Sequence, residues 1–261
     1  MRFLLSLYMD NERYGSKVPL SHQYELSAAT YHIFASANEE YAEWLHDNGF
    51  RMENGKQFKL FTFSRLKPER FRILRQSNQM ELVSSKVEWQ ISFLPEKSTQ
   101  KFVEGLFQKR VFEVGNRQSA VRFQVDSIQM LPSPLFTDTM TFEALSPISV
   151  SQRLEDGRDY YPQNGEEFST SDWVRERLLK NLLDKYEVIE GKPYEGEPYF
   201  NMMTQSEPKS SLVTIKAGTP QETKVRGFLC RLALHCPVEL MRIAYESGLG
   251  EETSQGFGCL G

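Results

Sequence analysis

The stretch "SHQYELSAATYHIFASANEEYAEWLHDNG" (residues 21–49) decides the fold, because it predicts two helices rather than one long helix. Its aromatic and aliphatic residues recur every three or four positions, the period of a helix that is buried on one face. Inside it, "SANE" (36–39) matches a capping box, with Ser36 as the N-cap and Glu39 at the third helical position. We therefore predict helices over about 22–34 and 38–46, joined by a tight turn, with Gly49 ending the second.

The segments on either side of this stretch complete an alternating pattern of strands and helices. "RFLLSLYM" (2–9) predicts a strand before it, and "FKLFTFSRL" (58–66) predicts a strand after it. A further strand is predicted from Met80 to Leu94, then a helix over 98–115 that ends at Gly115, then a strand over 119–132. The order of these elements is β-α-β-β-α-β, which is the ferredoxin-like pattern.

The second half of the chain repeats this pattern without repeating its letters. An extended segment over 139–153 precedes a capped helix over 169–191, two strands ("SLVTIKAG" and "VRGFLCRLAL"), a helix over 237–248 with Pro237 at its first position, and a terminal strand "GFGCL". We therefore predict an α+β fold of two tandem ferredoxin-like (RRM-like) domains, residues 1–133 and 134–261, with a glycine-rich loop at the C-terminus.

Composition indicates a globular protein with a locally basic surface. The 261 residues are 39% hydrophobic and 25% charged, and no apolar run approaches the length of a membrane span. Three cysteines, Cys230, Cys236 and Cys259, are too few for a disulfide framework, so we expect a cytoplasmic protein with no membrane partner.

The net charge is −4, yet residues 51–90 contain nine Lys or Arg and four acids. This basic segment indicates either a local anionic partner or a solvated hairpin, and composition alone leaves both open.

The last sixteen residues, "ESGLGEETSQGFGCLG" (246–261), resemble a phosphate-binding loop but lack the order that a nucleotide cofactor requires. A dinucleotide site needs a strand, then G-x-G-x-x-G, then a helix, whereas this loop follows a helix and precedes a strand. The chain also has no Gly-Lys-Ser/Thr for a nucleoside triphosphate. We therefore predict no cofactor. A helix C-cap at Gly248 explains one or two of the glycines, and close approach of a ligand to the backbone would explain the others.

Two motifs carry a resemblance to a known family. Gly-Leu-Gly, five residues and then Gly-Phe-Gly at the C-terminus resembles the glycine-rich loop of RAMP-superfamily proteins. The N-terminal run "KVPLSHQYELSAATYHIFASANEEYAEWLHDNG…KLFTFS" is similar to that of CRISPR-associated endoribonucleases that process precursor CRISPR RNA. Between about 95 and 225, only "ALSPISV" (144–150) adds to the resemblance.

The resemblance implies a metal-independent ribonuclease of antiviral defence that cuts within the repeat of a CRISPR transcript. A ribose 2′-hydroxyl attacks the adjacent phosphate and leaves a 2′,3′-cyclic phosphate or a related 3′ end and a 5′-hydroxyl. By position in the motif, the family's catalytic tyrosine, histidine and lysine correspond to Tyr31, His46 and Lys59. Lys56 is a possible substitute for Lys59, because the segment after His46 is longer than in some relatives. CRISPR effector subunits and a second copy of the chain are further possible partners.

The residue types fit this chemistry independently of the family. On one continuous helix Tyr31 and His46 would lie about 22 Å apart, whereas two helices joined by a turn can bring them together. His46 at a helix C-terminus, beside Asp47, is placed for proton transfer near neutral pH. Lys59 supplies a fixed cation for charge that develops on the phosphorus, and Tyr31 can position the phosphate or donate a proton. This set needs no metal ion.

Several residues are predicted to bind the RNA backbone. They come from the basic segment and from the terminal loop: Lys56, Arg65, Lys67, Arg70, Arg72, Arg75, Gly248, Gly250, Gly256 and Gly258.

The remaining histidines are expected to lie outside the catalytic group. We expect His22 to be structural or a phosphate contact, and His32 to point about 100° around the helix from Tyr31. We interpret His235 and the three cysteines as core or edge residues, because their spacing matches no common zinc site.

Two other classes of protein compete with the endoribonuclease. The first is a non-catalytic RAMP subunit that holds guide RNA in a CRISPR effector complex, with the same fold and loop. The second is an unrelated RRM-like binder of single strands, for which Phe61 and Phe63 are available but the rest of the signature is missing. The presence of Tyr31, His46 and Lys59 together favours the enzyme, since a pure binding protein has no need of all three.

Overall fold

The computed structural model describes residues 1–10 and 14–261. The first half contains eleven strands and three helices within these ranges: β1 (Arg2–Met9), β2 (Lys17–Pro19), α1 (Gln23–Ala37), α2 (Glu39–Asp47), β3 (Phe50–Arg51), β4 (Gln57–Phe58), β5 (Phe61–Phe63), β6 (Lys67–Pro68), β7 (Phe71–Leu74), β8 (Gln79–Leu82), β9 (Lys86–Phe93), α3 (Glu96–Gln108), β10 (Val111–Gly115) and β11 (Ala120–Leu131). The second half continues the numbering: β12 (Thr139–Glu143), β13 (Gln152–Arg153), β14 (Asp159–Tyr160), α4 (Gly165–Thr170), α5 (Asp172–Glu190), β15 (Asn201–Thr204), β16 (Lys209–Ile215), β17 (Thr223–Leu229), β18 (Arg231–His235) and α6 (Val238–Ser247).

The main sheet of the first half has the ferredoxin-like strand order. Its strands follow the sequence β10-β11-β1-β9-β5, and every pairing between neighbours is antiparallel. If β1, β5, β9 and β11 are counted as the four strands of the motif, the order is 4-1-3-2, with β10 added at one edge. Alternate side chains along β1 and most of β9 are buried, as expected for strands with one face on a core. The predicted ferredoxin-like character is confirmed in this half.

The second half repeats this order with a less regular final strand. β12 pairs with β18, and β18 pairs with β15. The last residues lie along the free side of β12, where Ala144 and Leu260 form an antiparallel bridge. Gly261 exchanges two backbone hydrogen bonds with Glu143, at 2.8 and 2.7 Å. The order of the four segments is again 4-1-3-2, and the hairpin β16–β17 is an addition to it.

Each half has its own hydrophobic core. One cluster of buried side chains runs from Phe3 to Val125, and the other runs from Phe142 to Leu260. The division at residues 133 and 134 itself stays a prediction. None of the helices in the described ranges is both long enough and apolar enough to cross a membrane.

The two halves are joined through buried polar contacts. Arg2, only 3% exposed, donates from its guanidinium to the carbonyl oxygens of Tyr245 and Leu260, the former at 2.7 Å. The Thr62 hydroxyl donates to the Phe257 carbonyl at 2.8 Å. These contacts satisfy polar groups that are removed from water, so they fix how the halves meet.

Several predicted boundaries in the first half are wrong. The helix predicted over 98–115 ends at Gln108, because Val111–Gly115 alternates buried and exposed side chains and pairs with β11. The strand predicted over 58–66 is interrupted at Leu60, whose φ of +56° is left-handed. The strand predicted from Met80 to Leu94 is two strands, since β8 pairs in a separate sheet with β2 and β7.

Smaller corrections apply to the caps and to the second half. The helix predicted over 169–191 is divided into α4 and α5 at Ser171, whose backbone is extended. Pro237 is the N-cap of α6 rather than its first helical residue. The segment "GFGCL" pairs with β12 only through the bridge at Leu260 and its neighbouring hydrogen bonds, because positive φ angles at Gly256 and Gly258 prevent a regular strand before it.

Candidate active site and RNA interface

The turn between α1 and α2 brings Tyr31 and His46 together. Asn38 has an extended backbone, and its side chain accepts a hydrogen bond of 2.6 Å from the Tyr41 amide. Asn38 is therefore the N-cap, and the capping box predicted at Ser36 is wrong: the Ser36 hydroxyl donates instead to the His32 carbonyl within α1. The reversal places the Tyr31 and His46 rings 5.2 Å apart between centroids, edge to face.

Tyr31 is held by an aromatic cluster. Its ring lies 6.0 Å from that of Phe61 and 6.3 Å from that of Phe34, between centroids. Burial raises the pKa of the Tyr31 hydroxyl, and the neighbouring Tyr41 acts in the same direction. The phenol therefore stays protonated near neutral pH, and it can donate a hydrogen bond from a fixed position.

His46 is exposed at the end of α2. Its Nδ1 lies 2.7 Å from the Asp47 carboxylate, and about two-thirds of the histidine side chain is accessible to solvent. Within the described ranges, no hydrogen bond occupies Nε2. Asp47 thus orients the imidazole through one nitrogen and leaves the other free to exchange a proton with a substrate.

Lys59 reaches the same end of α2 from the following strand region. Its Nζ donates to the His46 carbonyl at 2.6 Å. Partial burial of the ammonium lowers the pKa of Lys59; Asp47 opposes this shift and Arg51 adds to it. The lysine stem packs over Gly49, where a Cβ atom would lie 2.9 Å from Lys59 Cδ. Glycine is therefore needed at position 49 for two reasons. It adopts the left-handed backbone at the end of the helix, and it leaves the space that the Lys59 side chain occupies.

A shallow cavity of about 240 Å³ opens beside these groups. Tyr31 and His46 lie in its wall, together with Glu39, Glu43 and Asp47 of α2. All three carboxylates repel a phosphate, and the Lys59 ammonium opposes this repulsion at the end of α2, where Asp47 lies.

The structure separates the two lysines that the sequence left as alternatives. Lys56 forms an ion pair of 2.9 Å with Asp184 on α5. Its ammonium also lies 5.0 Å from the centre of the Phe58 ring. Because Lys56 is occupied and Lys59 contacts His46, the geometry favours Lys59 as the third member of the site.

The predicted RNA-binding cations have different surroundings. Arg70, Arg72 and Arg75 are exposed on or beside β7, where Phe71 and Ile73 are each half-exposed. Lys67 is exposed near Glu88, with 3.7 Å between the charged atoms. Arg65 is mostly buried and donates to the Ser211 hydroxyl in the second half at 2.6 Å, which makes it a contact between the halves.

The four glycines predicted to contact RNA are all buried. All have positive φ, and a Cβ at Gly250 or Gly258 would lie 2.3 or 2.1 Å from a backbone oxygen. At Gly248 the nearest atoms belong to Thr253 and Thr62, and at Gly256 they belong to Phe63 and Gln23. Packing within the second half at Gly250 and Gly258, and against the first half at Gly248 and Gly256, therefore accounts for these glycines without a ligand. Their contact with RNA stays a prediction.

A buried lysine that the sequence motifs did not indicate lies beneath this loop. Lys185 on α5 is 1% exposed, and its Nζ donates to the carbonyls of Gly248 at 2.7 Å and Gly250 at 3.3 Å. Burial of the ammonium lowers the pKa of Lys185 to about 7; Lys56 acts in the same direction and Glu251 against it. The helical period gave a signal, since Lys185 falls on the same face of α5 as the apolar residues Leu178 and Leu182.

The remaining histidines and cysteines lie apart from the site. The three cysteines are buried and unpaired, and His235 bonds to the Thr139 hydroxyl at the surface. Among residues 1–10 and 14–261, no three His, Cys, Asp or Glu side chains converge as metal ligands. His22 is 3% exposed, and its Nε2 accepts from the Leu66 amide at 3.2 Å, so it is a structural residue rather than a phosphate contact.

His22 predicts a loss of stability in acid. Burial lowers its pKa from 6.5 to about 4, with Arg65 acting in the same direction. The unfolded chain therefore binds the proton first as pH falls from 6.5 to 4, and the free energy of unfolding declines by about 3 kcal/mol over that window. Urea denaturation at pH 7 and pH 4.5 should show this decline in the wild type. His22→Gln keeps an acceptor but cannot titrate; an equal decline in that variant would contradict the assignment.

Both halves of the chain match models of the same protein family. Residues 17–129 match the family model "CRISPR-associated protein Cas6, N-terminal", and residues 131–261 match "CRISPR associated protein Cas6, C-terminal". CRISPR-associated endoribonuclease Cas6 1 of Methanocaldococcus jannaschii is 29% identical over 271 residues, covering all of this chain and 92% of the relative. CRISPR-associated endoribonuclease Cas6 of Pyrococcus furiosus is 26% identical over 267 residues, covering all of this chain and 89% of the relative.

A solved structure supports the fold over the whole chain. It is described as a Cas6-related gene product from Pyrococcus furiosus and superposes with a TM-score of 0.80 at 23% identity. The superposition covers all of this chain and 97% of the other.

Proposed function

The chain belongs to the Cas6 family of CRISPR-associated proteins, and on that basis we propose that it is the endoribonuclease that cleaves precursor CRISPR RNA within its repeats. The observation that carries the proposal is the cluster of Tyr31, His46 and Lys59 at the end of α2. It joins a fixed phenol, an imidazole with one free nitrogen and a cation, the groups that a ribonuclease needs around one phosphate.

The geometry suits transfer of the phosphate to the neighbouring 2′-oxygen. The ribose 2′-oxygen forms a bond to phosphorus, the bond from phosphorus to the 5′-oxygen breaks, and the products are a 2′,3′-cyclic phosphate and a 5′-hydroxyl. The leaving 5′-oxygen takes up one proton and the 2′-hydroxyl loses one. His46 exchanges a proton through Nε2, which its bond to Asp47 leaves free.

Lys59 and Tyr31 act on the charge and position of the phosphate. The Lys59 ammonium is held against the His46 carbonyl, so it stabilises negative charge that develops at the same place. Tyr31 is fixed by its aromatic neighbours and donates a hydrogen bond to a phosphate oxygen.

The basic surface around β7 provides a track for the rest of the RNA. Arg70, Arg72 and Arg75 are exposed there and can contact phosphates, while the half-exposed Phe71 and Ile73 can contact bases. In this proposal the glycine-rich loop acts through the packing of the two halves on which this track depends.

The reaction in a chelator tests the proposal. Purified protein is incubated with CRISPR repeat RNA in EDTA, and we expect cleavage that leaves a 5′-hydroxyl, because the three side chains supply the acid, base and cation. Gel analysis of end-labelled RNA measures both the extent of cleavage and the chemistry of the ends. RNA that is bound but not cut, with or without Mg²⁺, would instead indicate a non-catalytic guide-RNA subunit.

The partners beyond RNA remain predictions. Association with CRISPR effector subunits or with a second copy of the chain would be tested by gel filtration with and without repeat RNA. A cytoplasmic location also remains a prediction, consistent with three cysteines that are all unpaired.

A further inference from the structure

The β3–β4 hairpin connects the two ends of the candidate site. It starts four residues after His46 and finishes immediately before Lys59. Phe50 pairs with Phe58 and Arg51 with Gln57, so each strand contributes only two residues. A hairpin this short is weakly fixed by its own pairing, and its position depends on what it contacts.

An ion pair from the second half holds this hairpin. The Lys56 ammonium lies 2.9 Å from one carboxylate oxygen of Asp184. The other oxygen lies 3.2 Å from Lys180, which is on the same helix as Asp184. The Asp184 side chain is only 6% exposed, so removal of Lys56 leaves a buried carboxylate with a single, more exposed partner.

The chain is constrained on the other side of Lys59 as well. Leu60 is buried and adopts a φ of +56°, a conformation that a leucine seldom takes. Its carbonyl accepts a hydrogen bond of 3.0 Å from the Leu94 amide, which ties it to the end of β9. Backbone strain of this kind persists only where the surroundings hold the residue in place. Lys59 therefore lies between an ion pair and a strained residue.

We propose that Lys56 and Asp184 are positioning residues, whose ion pair fixes the β3–β4 hairpin so that Lys59 stays against the His46 carbonyl. This inference rests on the proposed function of the same site. The second half of the chain thereby sets the geometry of a site whose three groups all belong to the first half. Lys56 is not free for RNA, because it is already engaged by a carboxylate and by the Phe58 ring.

The inference predicts a loss of rate without a loss of affinity. In Lys56→Met and Asp184→Asn we expect single-turnover cleavage to fall by about tenfold to fiftyfold, since small displacements of a reacting group carry effects of this size. The dissociation constant for uncleaved repeat RNA should stay within about twofold of the wild type. Lys56→Arg keeps the ion pair and should retain most of the rate.

A matched control and a double variant separate positioning from other roles. Lys180→Met removes the other cation beside Asp184 without touching the hairpin, so its rate should equal that of the wild type. The double variant Lys56→Met with Asp184→Asn should be no slower than the slower single variant, because both changes break one interaction. Additive losses, or weaker RNA binding in Lys56→Met alone, would overturn the proposal.

Amide hydrogen exchange in the RNA-free protein keeps this test independent of cleavage. Peptides that cover residues 50–60 should exchange faster in both single variants than in the wild type and in Lys180→Met. Unchanged exchange together with unchanged cleavage would refute the positioning role. A wild-type protein that binds RNA but never cuts it would count against the proposed function instead, and the exchange measurement would still decide whether the ion pair holds the hairpin.

Discussion

His46→Ala is expected to lower the rate of repeat-RNA cleavage by about 10²–10⁴-fold, which is the usual contribution of a positioned acid or base. The affinity for RNA should change little, because the imidazole is largely exposed at the edge of a cavity. Single-turnover cleavage at saturating protein measures the rate, and binding of RNA with a blocked 2′-hydroxyl measures the affinity.

A second surface histidine provides the control for this experiment. His235 is exposed on the other half and bonds only to the Thr139 hydroxyl among the described residues, so His235→Ala should cleave at the wild-type rate. Full activity in His46→Ala would remove His46 from the site. Equal losses of cleavage and of binding would indicate that His46 holds RNA rather than moving a proton.

Gly258→Ala is expected to lower the free energy of unfolding by about 2–5 kcal/mol. A left-handed alanine costs about 1–2 kcal/mol, and forcing a methyl group into packed structure adds about 1–3 kcal/mol. At Gly258 φ is +70°, and the new Cβ would lie 2.1 Å from the Leu249 carbonyl oxygen. Backbone has to move there, since the Leu249 amide also donates to the Gly258 carbonyl at 2.9 Å.

Gly191→Ala isolates the conformational part of that loss. Gly191 has the same φ of +70°, but a Cβ there would meet nothing within 4 Å. Its loss should therefore be only about 1–2 kcal/mol. Urea denaturation of both variants measures the difference. Equal losses would show that the loop is less tightly packed than the structure indicates, and would return these glycines to a direct role in binding RNA.

The local chemistry of the chain was sufficient to predict the ferredoxin-like order of elements and a helix break that allows Tyr31 and His46 to meet; the pairing of these two residues in one site came from the resemblance. A strand whose apolar residues recur at every second position can be recognised within about ten residues of sequence, and so can a break by polar residues between two helices. The choice of cap was not decided locally, because Ser36 and Asn38 can both act as N-caps. Asn38 prevails since α1 continues to Ala37 before the chain turns.

Other features depended on residues far apart in the sequence. β10 follows an amphipathic helix without a strong stop signal, and only its pairing with β11 separates the two elements. Lys56 and Lys59 have similar surroundings in the sequence, and the carboxylate that distinguishes them lies 128 residues after Lys56. The glycine-rich loop was predicted to face a ligand because nothing in its letters reveals that both halves of the protein pack on it.

The same separation of 128 residues has a consequence during translation. A ribosome that adds about 5–20 residues per second takes roughly 6–26 s to travel from the codon of Lys56 to that of Asp184. For nearly all of that interval the nascent chain already contains Tyr31, His46 and Lys59 but lacks the carboxylate that anchors the hairpin between His46 and Lys59. If the ion pair positions Lys59 as proposed, the full rate of cleavage is reached only late in synthesis, when α5 has emerged and docked.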